Sequence, residues 1–264
     1  MTVVSMCSAK GSPGVTTISC AIAAVWPAER GVVVAECDPS GGDLAARFGL
    51  SAKRGMTSLM LDTRHANFEP IQIRDHLQTL PGGLEVLVGP SGAGASRTVD
   101  SELSGCLARL LEDRVGESEV LQDLVLDCGR ILPGAPGQVA ALAAADHVLV
   151  IARPTVDSLA STRWIAERLG RGSPDGVLAS LVLVGDGPVT SSEAASTLGL
   201  ELISIIPEDR VGSAALRGES VKARRLARSV LVSRARSLVL KLLGERPPAC
   251  SDLSGHQVLG QARS

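Results

Sequence analysis

The chain has 264 residues, 45% of them hydrophobic and 20% charged, with a formal net charge of −2 and a pI near 6.1. That balance excludes a disordered chain and a globally basic nucleic-acid coat protein, so any contact with DNA or lipid must come from a local patch. Four aromatic residues (Trp26, Phe48, Phe68, Trp164) and no tyrosine leave no platform for base stacking.

The first apolar run, Thr2–Cys7, is rich in β-branched residues and predicts a buried strand. A glycine-bearing loop, Ala9–Thr17, then feeds an apolar helix over Val15–Trp26. Further strands are expected at Gly31–Cys37, Leu84–Val88, Val120–Asp127, His147–Ala152, Val177–Val184 and Leu202–Ile206. Helices are expected at Asp100–Leu111, Gln138–Ala145, Asp157–Leu169 and Ser191–Leu198, with short helices and loop over Ser51–Pro81. The longest helix is expected at Val221–Leu243, ended by Gly244, Pro247 and Pro248. Strand and helix in regular succession predict an α/β fold: a doubly wound, mostly parallel sheet of about seven strands flanked by helices. Residues 1–244 read as one domain, and 245–264, without periodicity, as a disordered tail.

The start lacks the cationic region of a signal peptide, and no run approaches the ~18 apolar residues of a spanning helix. A cytoplasmic protein is expected. Its six cysteines (7, 20, 37, 106, 128 and 250) show no CxxC spacing and read as reduced core residues.

The loop Lys10-Gly11-Ser12-Pro13-Gly14-Val15-Thr16-Thr17 is the candidate site. Its backbone N–H groups form an anion nest, and the helix that follows adds the favourable end of its dipole. Asp38, at the end of the second strand, competes with a plain turn-forming role before Pro39. Asp127 either ends its strand structurally or faces the same site, and Glu36 and Asp43 read as capping or solvated residues.

With these residues in view, the loop resembles the deviant Walker A motif of the ParA/MinD family of P-loop ATPases, KGGxGKTT. Lys10 falls on the signature lysine, Gly11 and Gly14 on glycines and Thr16 on the magnesium-binding hydroxyl, while Val15 stands where the lysine before that hydroxyl is expected. Five further segments follow in order. Glu36–Leu44 is similar to the switch I segment, Leu124–Asp127 to the Walker B strand, and Ala143–Val150 with Pro154 to the strand after it. Ile205–Asp209 is similar to the turn over the nucleotide base, and Arg217–Val221 to the segment beyond. The asparagine that reads adenine in the family has no counterpart, because Leu183–Gly187 stands in its place.

The resemblance covers about residues 1–243. It implies ATP and Mg2+ as ligands, with Gly11, Ser12, Pro13, Gly14, Val15, Thr16 and Thr17 as the phosphate cradle. Thr16 and Asp127 are implied as the metal ligands and Pro207, Glu208 and Asp209 as the base turn. Lys10 is implied to reach a partner's phosphate across a homodimer, and Asp38 to position the attacking water. The implied function is a nucleotide switch that positions cargo, such as a chromosome region, a division component, or pilus or secretion machinery. Val15 makes hydrolysis weak or absent. The alternative is a nucleotide-free pseudo-ATPase scaffold for a partner protein or a competent paralogue.

Segment 217–246 holds nine basic residues against Glu219 and Glu245. It reads first as a terminal helix with a solvated basic face. As a binding surface it favours non-specific DNA over membrane, since the final residues are neither basic nor amphipathic.

Overall fold

The computed structural model describes residues 1–10, 13–65, 73–90, 102–108, 122–132, 134–170 and 178–244. Among the expectations above, Gly11, Ser12, the tail 245–264 and the ends of the 100–111 helix lie outside those residues.

The apolar runs form eight strands: β1 (Val3–Ser8), β2 (Val32–Glu36), β3 (Gln78–Thr79), β4 (Glu85–Leu87), β5 (Asp123–Arg130), β6 (His147–Ala152), β7 (Leu178–Val184) and β8 (Glu201–Ile206). They lie in one sheet in the order β3-β4-β2-β5-β1-β6-β7-β8. Every pairing is parallel except that of β3 with β4. The strand beyond the expected seven is the two-residue β3, too short to leave a periodic signal.

Ten α-helices are described, α1 (Val15–Ala23), α2 (Leu44–Phe48), α3 (Met56–His65), α4 (102–108), α5 (Pro136–Ala143), α6 (Val156–Gly170), α7 (Ser191–Leu198), α8 (Arg210–Ala215), α9 (Ala223–Leu226) and α10 (Val230–Leu242), with a short 3-10 helix at Ile73–His76. Two cores result, one on each face of the sheet. On β1, Val3 and Cys7 join Met56, Leu103, Leu159 and Leu198. Val4 and Met6 point the other way, to Ile18, Leu44, Leu231 and Leu238. Strands buried on both faces need continuous apolar sequence, which is why these runs do not alternate. Each such side chain contributes about 1.5–3 kcal/mol by leaving water.

The expected single terminal helix is two. Ser229 accepts the Val232 N–H at 3.2 Å and caps α10, while its own hydroxyl donates to Asp209 Oδ2 at 2.6 Å. Asp209 Oδ2 also accepts the Leu231 N–H at 3.1 Å, and its Oδ1 accepts those of Val211 and Gly212, which begin α8. One carboxylate thus joins the starts of two helices, and a continuous helix through Ser229 would forfeit that joint. At the sheet edge Lys241 donates to the Ile203 carbonyl of β8 at 2.7 Å, occupying an acceptor that a further strand would need.

Below α3, buried His76 has Nδ1 2.8 Å from Ser58 Oγ and Nε2 3.4 Å from Asp62 Oδ2. Burial, with a smaller push from Arg54, holds it below the usual histidine range against the pull of Asp62 and Asp75. The unfolded chain therefore takes up this proton more readily than the native state. The stabilising share of His76 is complete above about pH 6.5 and is lost as the pH falls through that value towards the native pKa. Thermal unfolding at about pH 7.5 and about pH 5.5 is expected to show a larger fall in Tm for the wild type than for His76→Gln. Equal falls would uncouple this proton from folding.

Candidate functional site

The strand order reverses around β1, whose neighbours are β5 and β6. Open parallel sheets gather ligands beyond the carboxyl ends of such strands. From β1 the chain passes exposed Lys10 and enters α1 through Gly14, whose φ of 97° is left-handed. No side chain caps α1, and no acidic residue stands in its first turn. Its leading N–H groups remain available to an external anion, and the dipole adds partial positive charge there.

On that turn the Thr16 side chain lies close enough to the Asp127 carboxylate to pull its pKa down. Asp127 is 2% exposed and lies opposite Met6 of β1 and Glu36 of β2. Its Oδ1 also accepts the Gly129 N–H at 3.1 Å. Burial first, then the charges of Glu36 and Asp38, push its pKa up to about 7 against the pull of Thr16 and Gly129.

A hydroxyl beside a buried strand carboxylate suits Mg2+, which keeps most of its shell as water and phosphate oxygen. Among the described residues no group of three or more His, Cys, Asp or Glu offers a full protein cage. The open helix terminus, the hydroxyl and the carboxylate therefore fit a magnesium nucleotide. Position 15 does not add to that fit. Val15 is 5% exposed and packs with Met6, Ile18 and Leu149 in the α1-side core.

Glu36 is fully engaged in structure. Its Oε1 accepts the N–H groups of Asp43 (2.7 Å) and Leu44 (3.0 Å), and Oε2 accepts that of Gly89 (2.8 Å). It thereby ties the end of β2 to the start of α2 and to the end of β4. A Cβ on Gly42 would come 2.2 Å from Glu36 Oε2, so the clamp requires glycine there. Of the two expected roles, capped or solvated, the first holds. No local signal links Glu36 to Gly89, so sequence reasoning missed this clamp.

Asp38 is half buried. Its Oδ1 accepts the Ser40 N–H at 2.7 Å in a turn, and Oδ2 accepts the Arg130 N–H at 3.4 Å. Burial raises its pKa despite these donors. A Cβ on Gly129 would lie 1.8 Å from Asp38 Oδ2, so glycine at the end of β5 is what admits the carboxylate. Asp38 thus forms the turn and also borders Asp127, whose pKa feels its charge.

The charge of Lys10 is felt at the start of α6. There the neighbouring Thr155 side chain holds Asp157 below the usual carboxylate range, and Lys10 adds a smaller pull. Across the sheet, Glu208 pairs with Arg153 at 2.9 Å over Gly185, and a Cβ on Gly187 would strike the Pro154 carbonyl at 2.1 Å. The turns after β6, β7 and β8 therefore meet beside Pro207, while Asp209 turns away to cap α8 and hold α10. The five described cysteines are free and buried. Burial pushes the Cys7 thiol up to about 12 and Cys106 up to about 11, leaving them protonated and inert. Among the described residues no helix is long and apolar enough to cross a membrane.

No protein-family model and no curated protein matches the chain. Solved structures do. The chain is similar to a ParA family ATPase from Chlorobium tepidum TLS, with 18% identity over 90% of this chain and 97% of that one and a TM-score of 0.70. It is similar to the septum site-determining protein MinD complexed with Mg-ADP from Pyrococcus horikoshii OT3, at 17% identity, 91% and 95% coverage and a TM-score of 0.67. A McdA variant from Cyanothece in complex with ATP matches at 16% identity, 94% and 98% coverage and a TM-score of 0.67. At such identities the likeness is one of fold: the chain has the ParA/MinD-like P-loop fold.

Proposed function

We propose that this chain, built on the ParA/MinD-like P-loop fold, is a nucleotide-binding switch that takes ATP with Mg2+, dimerises in that state and positions a cellular cargo. The observation that carries the reading is buried Asp127, whose pKa feels the neighbouring Thr16 side chain, beside the uncapped start of α1. The MinD neighbour holding Mg-ADP and the McdA neighbour holding ATP support the same ligands here. Thr16 and Asp127 hold the metal, and 11–17 cradle the phosphates. Lys10 faces a partner's phosphate, Asp38 positions water, and Pro207 with Glu208 borders the base. Bound Mg2+ neutralises phosphate charge, and the chain's own groups orient the nucleotide.

Val15 decides how far the chemistry goes. One lost charge-assisted hydrogen bond removes about 1.5–3 kcal/mol, or roughly one to two decades of affinity, so binding survives weakened. Groups that meet transition-state charge are worth about 10³–10⁵ in rate, so turnover is slow or absent. The same side chain favours a second reading, a nucleotide-free scaffold for a partner protein, because Val15 is integrated in the core. Non-specific DNA is the favoured surface partner. Between α8 and α9 lies an open cleft of about 700 Å³ lined by Arg210, Lys222 and Arg225 among others. Arg224, Arg228, Arg234 and Arg236 extend the exposed basic surface along α9 and α10.

Calorimetric titration with ATP and ADP, with and without Mg2+, tests the switch. Mg2+-dependent ATP binding weakened about tenfold or more by Lys10→Ala is the expected result. Val15→Lys is expected to tighten binding by a similar factor at some cost in stability, since it removes a packed valine. No heat from either nucleotide would leave the scaffold reading.

A further inference from the structure

Two stretches of sequence form the walls of the cleft between α8 and α9, whose volume of about 700 Å³ is that of a ligand site. Arg210, Val211 and Ala214 share one face of α8 at helical spacing, and a loop through Glu219, Val221 and Lys222 leads to Arg225 of α9. Tertiary contacts hold both walls. Asp209 joins the starts of α8 and α10, and the Glu219 N–H donates back to the Ala214 carbonyl at 3.0 Å. Gly218, with a φ of 82°, seats the loop on α2, since a Cβ there would strike the Arg47 carbonyl oxygen. The fold itself thus shapes the cleft, which removes an ordering cost from binding.

The lining has two chemistries. Arg210, Lys222 and Arg225 are exposed, and among the described residues none of their side chains has a hydrogen-bond or ion-pair partner. Three like charges in one concavity repel one another, and an anion relieves that repulsion. Half-buried Val211, Ala214 and Val221 add apolar surface between them. Glu219 contributes one fixed carboxylate, whose Oε1 accepts from Arg217 Nε at 2.9 Å and lies 2.8 Å from its Nη2. A DNA backbone gains nothing from the apolar lining, and its phosphates are repelled by Glu219. Arg224, Arg228, Arg234 and Arg236, exposed outside the cleft, are the surface left to a duplex. An extended peptide carrying both acidic and apolar side chains matches both chemistries. Its carboxylates meet the three cations, and its apolar groups leave water against the valines.

We infer that the α8–α9 cleft docks an acidic segment, interspersed with apolar residues, of a partner protein. Nucleotide binding is not required: a switch holds its cargo adaptor there, and a scaffold its partner. Arg210 and Arg225 take carboxylates in their planar forks, while Lys222 acts as a point charge.

The test is fluorescence anisotropy on the full chain without nucleotide. The probes are a labelled peptide of Glu and Asp interspersed with Leu and Val, a matched peptide with Lys in place of the acids, and a mixed-sequence DNA duplex. Wild type is expected to bind the acidic peptide and not the basic one. Lys222→Glu combined with Arg225→Glu is expected to weaken that binding about tenfold or more. Arg210→Glu, on the opposite wall, is expected to weaken it too, so the result does not hang on the folding of one variant. Arg234→Glu combined with Arg236→Glu, on α10, is expected to leave peptide affinity within about twofold while weakening the duplex. Wild type that does not bind the acidic peptide overturns the inference. Equal peptide losses in the cleft and α10 variants also overturn it, because the attraction would then be to the whole basic surface. Cleft variants that lose the duplex but keep the acidic peptide overturn it as well, and give the cleft to DNA.

Discussion

Asp127→Asn is expected to abolish Mg2+-dependent nucleotide affinity and, in the nucleotide-free protein, to raise Tm. Asp127 is buried beside two other carboxyls, and its pKa is pushed up to about 7, against an ordinary value of about 3.9 in the unfolded chain. A native pKa above the unfolded one means that the native state holds the proton more tightly. That advantage is complete below about pH 3.9 and is lost as the pH rises through about 7. In alkaline solution the ionised carboxylate therefore costs on the order of 2–4 kcal/mol. Asparagine removes that cost while its carbonyl still accepts the Gly129 N–H and its amide meets the Thr16 hydroxyl. Thermal unfolding at about pH 8.5 is expected to favour the variant by roughly 5–10 °C, shrinking towards about pH 6. A difference independent of pH would mean that the carboxylate is not desolvated. Both expected effects have one origin, the desolvated carboxylate of Asp127.

Glu36→Ala is expected to have the largest destabilising effect of any single change at the site. Three N–H groups, those of Leu44 and Gly89 buried and that of Asp43 partly so, would lose their acceptor together. Buried donors left unpaired cost about 1–3 kcal/mol each, partly offset because a buried charge disappears too, so a net loss of about 3–5 kcal/mol is expected. Glu36→Gln falls between, since its amide nitrogen must face one of the N–H groups it replaces an acceptor for. Urea unfolding of both variants measures this. A loss under about 1 kcal/mol for Glu36→Ala would show that water replaces the carboxylate, and that the β2–α2–β4 junction does not depend on it.

The two residues differ in how they can be read. Asp127 closes an apolar run and fits a pattern spanning four neighbouring residues, so its place was legible, although β5 continues past it to Arg130. Glu36 read only as a capping or solvated residue, because its partner Gly89 lies about fifty positions further along the chain. Ser229 before the apolar run Val230–Val232 carried a legible capping signal, yet helical periodicity from Val221 onward masked it. What broke that helix was Asp209, a tertiary partner twenty residues earlier.

By itself, the sequence determined the order and type of the strands, the glycine-bearing loop into α1, and the missing lysine. These depend on residues near in sequence, where hydrophobic period, glycine and helix-start chemistry act locally. Tertiary structure alone decided which carboxylates are dry, where Asp38 and Asp209 find their donors, that Val15 is packed in the core, and that Arg210, Lys222 and Arg225 line one cleft. Those properties are set by burial and by contacts between distant strand ends, and desolvation has no signature in a linear chain.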